Sequence, residues 1–167
     1  MIKKKICMLG SFAVGKTSLV QRYVENIFSE KYQTTIGVKI SKKTIALEGR
    51  DVELILWDLA GKDGVSEIRD SYLRGTSGYL LVVDKTRIHT LDVALGIHKM
   101  AQEIAGKVPF NILVNKWDIE DFSDDGESMV SKLQEYGQEV IRTSAKTGMG
   151  VNQAFEMLAK NMISLES

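Results

Sequence analysis

Residues 10–17 read Gly-Ser-Phe-Ala-Val-Gly-Lys-Thr: two glycines with four residues between them, then a lysine and a hydroxyl residue. A short apolar run precedes them, and residues 2–9 read as a buried strand ended by glycine. Residues 16–26 follow as a helix, with Leu19, Val20 and Tyr23 spaced along one face. A strand that turns through glycines straight into a helix opens an α/β unit, and this one matches the phosphate-binding P-loop pattern. The glycines let backbone N–H groups wrap a β-phosphate with no Cβ in the way. The new helix points its positive end at the same phosphates. Lys16 supplies a point charge to the β- and γ-phosphates, and the Thr17 hydroxyl is a hard oxygen suited to Mg²⁺. The nucleotide-binding residues of the segment are taken as Ala13, Val14, Gly15, Lys16, Thr17 and Ser18. A plain glycine turn is the competing reading, and the strand before and helix after weigh against it. The segment implies a nucleoside triphosphate; it names neither the base nor the reaction.

The rest of the chain continues the alternation. Residues 38–47 alternate polar and apolar, Glu48-Gly49-Arg50-Asp51 supplies a hairpin turn, and Val52 to Trp57 is the partner strand. Residues 79–83 and 110–114 are further apolar strands, and Val140-Ile141 a last short one. Helical spacing marks residues 91–105, 126–136 and 151–164. Strands alternating with helices imply a mostly parallel sheet covered on both faces, with the hairpin adding one antiparallel edge. Length supports one domain spanning residues 1–167. The acidic stretch from Asp118 to Glu127 reads as a solvated loop leading into a helix.

Composition narrows the function classes. With 22 basic and 22 acidic side chains the formal net charge is zero, which argues against a nucleic-acid binder. A single cysteine, Cys7, cannot close an internal disulfide and sits in an apolar run, so it reads as packing in a reducing compartment. No apolar run approaches the roughly 18 residues that suggest a spanning helix. Lys3, Lys4 and Lys5 before Ile6 imitate a secretion signal, but Gly10 and Ser11 interrupt the run. No prenylatable cysteine stands near Ser167, so no lipid anchor is expected, and the expected location is cytoplasmic.

Three more segments follow apolar strands. Asp58-Leu-Ala-Gly61 comes after Trp57; a carboxylate at a strand's C-terminal end can hold Mg²⁺ through water, and the Gly61 N–H can reach a γ-phosphate. Alone, Asp and Gly are ordinary turn residues. Asn115-Lys116-Trp117-Asp118 comes after residues 110–114. The Asp118 oxygens match the N1–H and N2–H₂ donors of guanine, whereas adenine presents an acceptor at N1. Such a buried mismatch costs a factor on the order of 10⁴. The Lys116 stem can cover one face of the base while its ammonium stays wet, and Asn115 can tie this loop to the P-loop. Thr143-Ser144-Ala145-Lys146 follows the last strand; Ser144 can brace Asp118, and the Ala145 N–H can donate to guanine O6. Each segment is unremarkable alone. Their order, at successive strand ends, is specific.

With these segments in place the chain resembles a small GTPase of the Ras superfamily, over about residues 4–162, and is most similar to the Rab-type branch. Thr35-Ile36-Gly37-Val38 and Trp57-Asp58 are the residues that favour that branch. The resemblance implies a six-stranded, mostly parallel sheet with one antiparallel edge strand and five helices on both faces. It implies GTP or GDP with Mg²⁺ as ligands. Phe28 would pack on the guanine edge, Tyr32 would lie over the phosphates, and Thr35 would join Thr17 and Asp58 around the metal. Asn115, Lys116, Asp118, Ser144, Ala145 and Lys146 would hold the base. Lys16, Thr35, Gly61 and Lys62 would form the catalytic set. GTP would order two loops, about residues 29–40 and 60–76, whose state partner proteins read.

Two departures from the family pattern fall where hydrolysis happens. Lys62 stands where the family usually has the glutamine that orients the attacking water, and an ammonium donates hydrogen bonds but accepts none. Phe12 stands where the family carries a small residue and would crowd the γ-phosphate. Slow hydrolysis is therefore expected. The competing readings are a pseudo-GTPase scaffold that never cycles, and a P-loop kinase of another class. The kinase would need an acceptor pocket and usually an adenine site, against which the Asn115–Asp118 segment speaks.

Overall fold

A computed structural model describes residues 1–31, 37–59, 68–120, 125–136 and 139–165. In chain order these form β1 (Ile2–Gly10), α1 (Lys16–Glu25), β2 (Val38–Leu47), β3 (Arg50–Leu59) and α2 (Asp70–Leu73). Then come β4 (Gly78–Asp84), α3 (His89–Ala105), β5 (Phe110–Asn115), α4 (Asp125–Gln134), β6 (Val140–Arg142) and α5 (Val151–Ser164). The six strands make one sheet in the order β2-β3-β1-β4-β5-β6. All neighbours pair parallel except β2, the edge strand antiparallel to β3.

The expected mixed sheet is therefore present, and the differences from the sequence reading lie at element ends. The hairpin turn is tighter than the four residues anticipated. Only Glu48 and Gly49 leave the ladder, both with positive φ (51° and 79°), and Leu47 already pairs with Arg50. That is the two-residue turn whose twist suits right-handed strands. α2 has only four residues, too few to show a helical period in the sequence.

The sheet's two faces carry separate cores. Ile6, Met8, Leu54, Leu56, Leu80 and Val82 face Leu19 and Tyr23 of α1 and Phe155 and Leu158 of α5. Cys7, Leu9, Leu81, Val83 and Val114 face Leu73 of α2, Ile97 of α3 and Met129 and Leu133 of α4. All seven residues of β4 are buried, as a central strand covered on both sides requires. Cys7 is packing, as expected: its Sγ lies 3.1 Å from Thr76 Oγ1, and burial pushes the thiol pKa up, which makes it unreactive. The strands β1, β3, β4, β5 and β6 all run the same way, so their C-terminal ends share one rim, the usual place for a ligand site in such sheets.

Candidate functional site

The loop leaving β1 is built around Gly15. Its φ of 103° is left-handed, and a Cβ there would collide with the Asn115 amide nitrogen, so only glycine lets the two loops approach so closely. Lys16, the first residue of α1, folds back over this loop. Its Nζ donates to Gly10 O at 2.9 Å and Ser11 O at 3.0 Å. The side chain is buried, and burial pulls its pKa down to about 8; the Asp58 carboxylate opposes the shift and Arg87 adds to it. A buried ammonium beside a helix start is a seat for an anion.

Asp58 and Thr17 close the floor. Asp58, next to last in β3, is fully buried, and Thr17 Oγ1 donates to its Oδ2 at 2.6 Å. These are two hard oxygens next to a buried lysine. They fit Mg²⁺, which takes few protein ligands and keeps water and phosphate oxygens for the rest. Among the described residues no group of three or more His, Cys, Asp or Glu gathers to form an all-protein cage.

The other half of the site comes from the ends of β5 and β6. Asn115 Nδ2 donates to Val14 O at 2.9 Å, and Thr143 Oγ1 donates to Asn115 Oδ1 at 3.0 Å, so this buried amide joins three loops. The expected tie between the Asn115 loop and the P-loop is thus a direct bond. Ser144 Oγ donates to Asp118 Oδ1 at 2.7 Å, the brace anticipated from the sequence. Lys116 differs from expectation. Its ammonium is not simply in water but donates to Ala13 O at 2.9 Å and pairs with Asp84 Oδ2 at 2.9 Å. The reason is that β4, next to β5, ends in a buried carboxylate at the same level.

These groups enclose a cavity of about 380 Å³. Ala13, Gly15, Lys16, Thr17, Ser18, Phe28, Asp58, Asn115, Lys116, Asp118, Ala145 and Lys146 line it, with Phe12 at its lip. Val14 does not: its side chain is in the core, and only its backbone belongs to the loop. Ser144 is buried behind Asp118. Tyr32, Thr35, Gly61 and Lys62 lie outside the described residues.

Three supports escaped the sequence reading. Asp84 is held by Lys116, by the Thr86 N–H and hydroxyl, and by Arg87 Nε at 3.0 Å. Burial alone would raise its carboxyl pKa, but these donors more than offset that and hold it below the usual range. Arg87 Nη2 also donates to Phe12 O at 2.7 Å, and Arg22 of α1 donates to Ala145 O at 2.8 Å and Lys146 O at 2.6 Å. Asp84 had a sequence signal, since it ends an apolar strand as Asp58 and Asn115 do. Arg22 had none, because its partners are carbonyls distant in the chain.

A model of the Ras family matches residues 5–164. The chain belongs to the Ras family. Among curated relatives, the Ras-related protein Rab-8B of Bos taurus is 33% identical over 162 residues, covering 96% of this chain and 78% of its own. Rab-13 of Bos taurus is 34% identical over 161 residues (95% and 79%), and Rab-7b of Bos taurus 34% over 165 residues (96% and 82%). This Ras-family chain is thus Rab-like, a P-loop small GTPase of the kind that binds guanine nucleotides with Mg²⁺ and acts as a switch. No helix among its described residues is long and apolar enough to cross a membrane.

Proposed function

We propose that this chain is a single G domain that holds GTP or GDP with Mg²⁺ in the rim cavity and hydrolyses GTP slowly. The observation that carries the reading is Asp118. Its carboxylate opens on the cavity, held by Ser144, on a loop bonded to the P-loop through Asn115 and Lys116. A carboxylate accepts two hydrogen bonds side by side, as guanine's N1–H and N2–H₂ require, and adenine would leave it unpaired. Phe28 and the Lys116 stem line the same end and supply apolar cover for a base.

At the other end Lys16 neutralises the phosphates, and the loop's N–H groups and the start of α1 supply further positive potential. Thr17 and Asp58 would hold Mg²⁺, joined by Thr35. The bound metal would neutralise charge developing on the β- and γ-phosphate oxygens. Hydrolysis transfers the γ-phosphoryl group of GTP to water, breaking the bond between the γ-phosphorus and the β–γ bridging oxygen, with GDP as the leaving group. That water must be oriented by a group that accepts its proton's hydrogen bond. Lys62, placed after Gly61, has no acceptor, and the Phe12 ring at the cavity lip narrows the space beside the γ-phosphate. Effectors and regulators would read loops 29–40 and 60–76.

Single-turnover hydrolysis by the purified chain tests the slow step: Lys62→Gln is expected to be faster than the parent. A fast parent, or a variant no faster, contradicts slow hydrolysis. A parent with no detectable turnover, even with bound GTP, favours the non-cycling scaffold.

A further inference from the structure

Trp117 has no role in the reading above, yet it lies between Lys116 and Asp118 and is held by several elements. Lys85 Nζ stands 4.6 Å from its ring centroid and the Arg142 guanidinium carbon 5.0 Å. Lys85 follows β4 and Arg142 ends β6, so the strands on either side of β5 each send a cation to a ring carried at the exit of β5. Lys85 Nζ also donates to Ile119 O at 2.9 Å, and Arg142 Nη2 pairs with Glu127 Oε2 of α4 at 3.0 Å. The Trp117 backbone N–H donates to Thr143 O at 3.0 Å. Gly126 of α4 packs closely here: a Cβ on it would come within 2.8 Å of Lys85 Cγ and 3.2 Å of Trp117 Cζ3.

The preceding residue explains why such a clamp matters. Lys116 has φ of 64°, a left-handed conformation that a residue with a Cβ keeps only where its surroundings over-determine it. On its N-terminal side the chain is held by Asn115 and Lys116 bonding to Val14 O and Ala13 O. On its C-terminal side Trp117 is the first hold, ahead of the Ser144 hydroxyl on Asp118 and of Lys85 on Ile119 O. Slack at the ring would let Lys116 relax toward ordinary backbone and would swing the Asp118 carboxylate out of line with a base in the cavity. A cation attracted to an aromatic face needs the ring's quadrupole, which an aliphatic side chain of similar volume lacks.

We propose that Trp117, clamped by Lys85 and Arg142, is a positioning residue that fixes the Asp118 carboxylate and so sets how sharply the site distinguishes purines. The proposal rests on the guanine reading above. If Trp117 only fills space, its loss lowers stability and leaves discrimination alone.

The test is calorimetric affinity for GDP, inosine diphosphate and ADP, with Mg²⁺, on nucleotide-stripped parent, Trp117→Phe, Trp117→Leu and the double variant Lys85→Met/Arg142→Gln. Inosine lacks the 2-amino donor, so the GDP to inosine diphosphate ratio reads the Asp118 geometry directly. Trp117→Leu is expected to narrow that ratio by about tenfold or more, the scale of one lost hydrogen bond to a charged acceptor. Trp117→Phe should fall between, since a phenyl ring keeps a weaker quadrupole. The double variant, which keeps the ring and does not depend on Trp117→Leu folding, should also narrow the ratio. A parent ratio retained in Trp117→Leu or in the double variant overturns the proposal, whatever happens to melting temperature. A parent that binds GDP and ADP alike sinks the guanine reading and this proposal with it. A parent that discriminates, with variants that discriminate equally well, sinks this proposal alone.

Discussion

Lys16 carries a pH signature that belongs to one residue. Burial pulls its ammonium from an ordinary 10.5 down to about 8. A phosphate beside it favours the charged form, so its pKa in the complex lies higher. Between the two values binding takes up a proton, and affinity falls by up to about tenfold per pH unit as pH rises above the free value. Titrations at about pH 9 in two buffers of different ionisation heat should show net proton uptake; none would mean that Lys16 does not meet the phosphates. Asp118→Ala removes the charged acceptor. GDP affinity should drop by about 1.5–3 kcal/mol while ADP affinity barely moves. At this scale the sequence was legible where a motif residue lies at or just beyond the end of an apolar strand: Lys16, Asp58, Asn115 and Asp118 all meet at the rim. It was silent on Arg22, whose two carbonyl partners lie across the chain, and it left the Lys116 ammonium in water because nothing local pairs Lys116 with Asp84, although Asp84 follows an apolar strand.

At the scale of elements, strands and long helices were readable because burial imposes their periods. Their ends were not, because ladder pairing continues past the apolar residues: β3 starts at Arg50 and β4 runs on to Asp84. α5 is held by Phe155, whose ring stacks on Tyr23 of α1 at 4.2 Å between centroids. Phe155→Ala leaves a cavity in a fully buried place and should cost about 3–5 kcal/mol, read as a lower urea midpoint at unchanged slope. α3 contributes a pH dependence through His98, which is buried with its Nδ1 2.9 Å from the Tyr79 hydroxyl. Burial lowers its pKa from 6.5, so the fold favours neutral imidazole. That stability is present above the ordinary value and is lost as pH falls through the lowered one. His98→Gln should therefore flatten the acid limb of a stability-against-pH curve.

For the whole molecule, five parallel strand ends put separate loops on one rim, and three bonds across them (Asn115 to Val14, Lys116 to Ala13, Ser144 to Asp118) make one site. The base end of that site is cross-braced from α1, β4, β5 and β6 by the chain itself. The proposed specificity for guanine is what the switch, the proposed slow hydrolysis and the proposed Trp117 clamp all depend on. Calorimetry of the nucleotide-stripped chain with GDP and with ADP, both with Mg²⁺, measures it directly. A preference for GDP on the order of 10⁴ or greater is predicted. Equal affinity for the two nucleotides would contradict it.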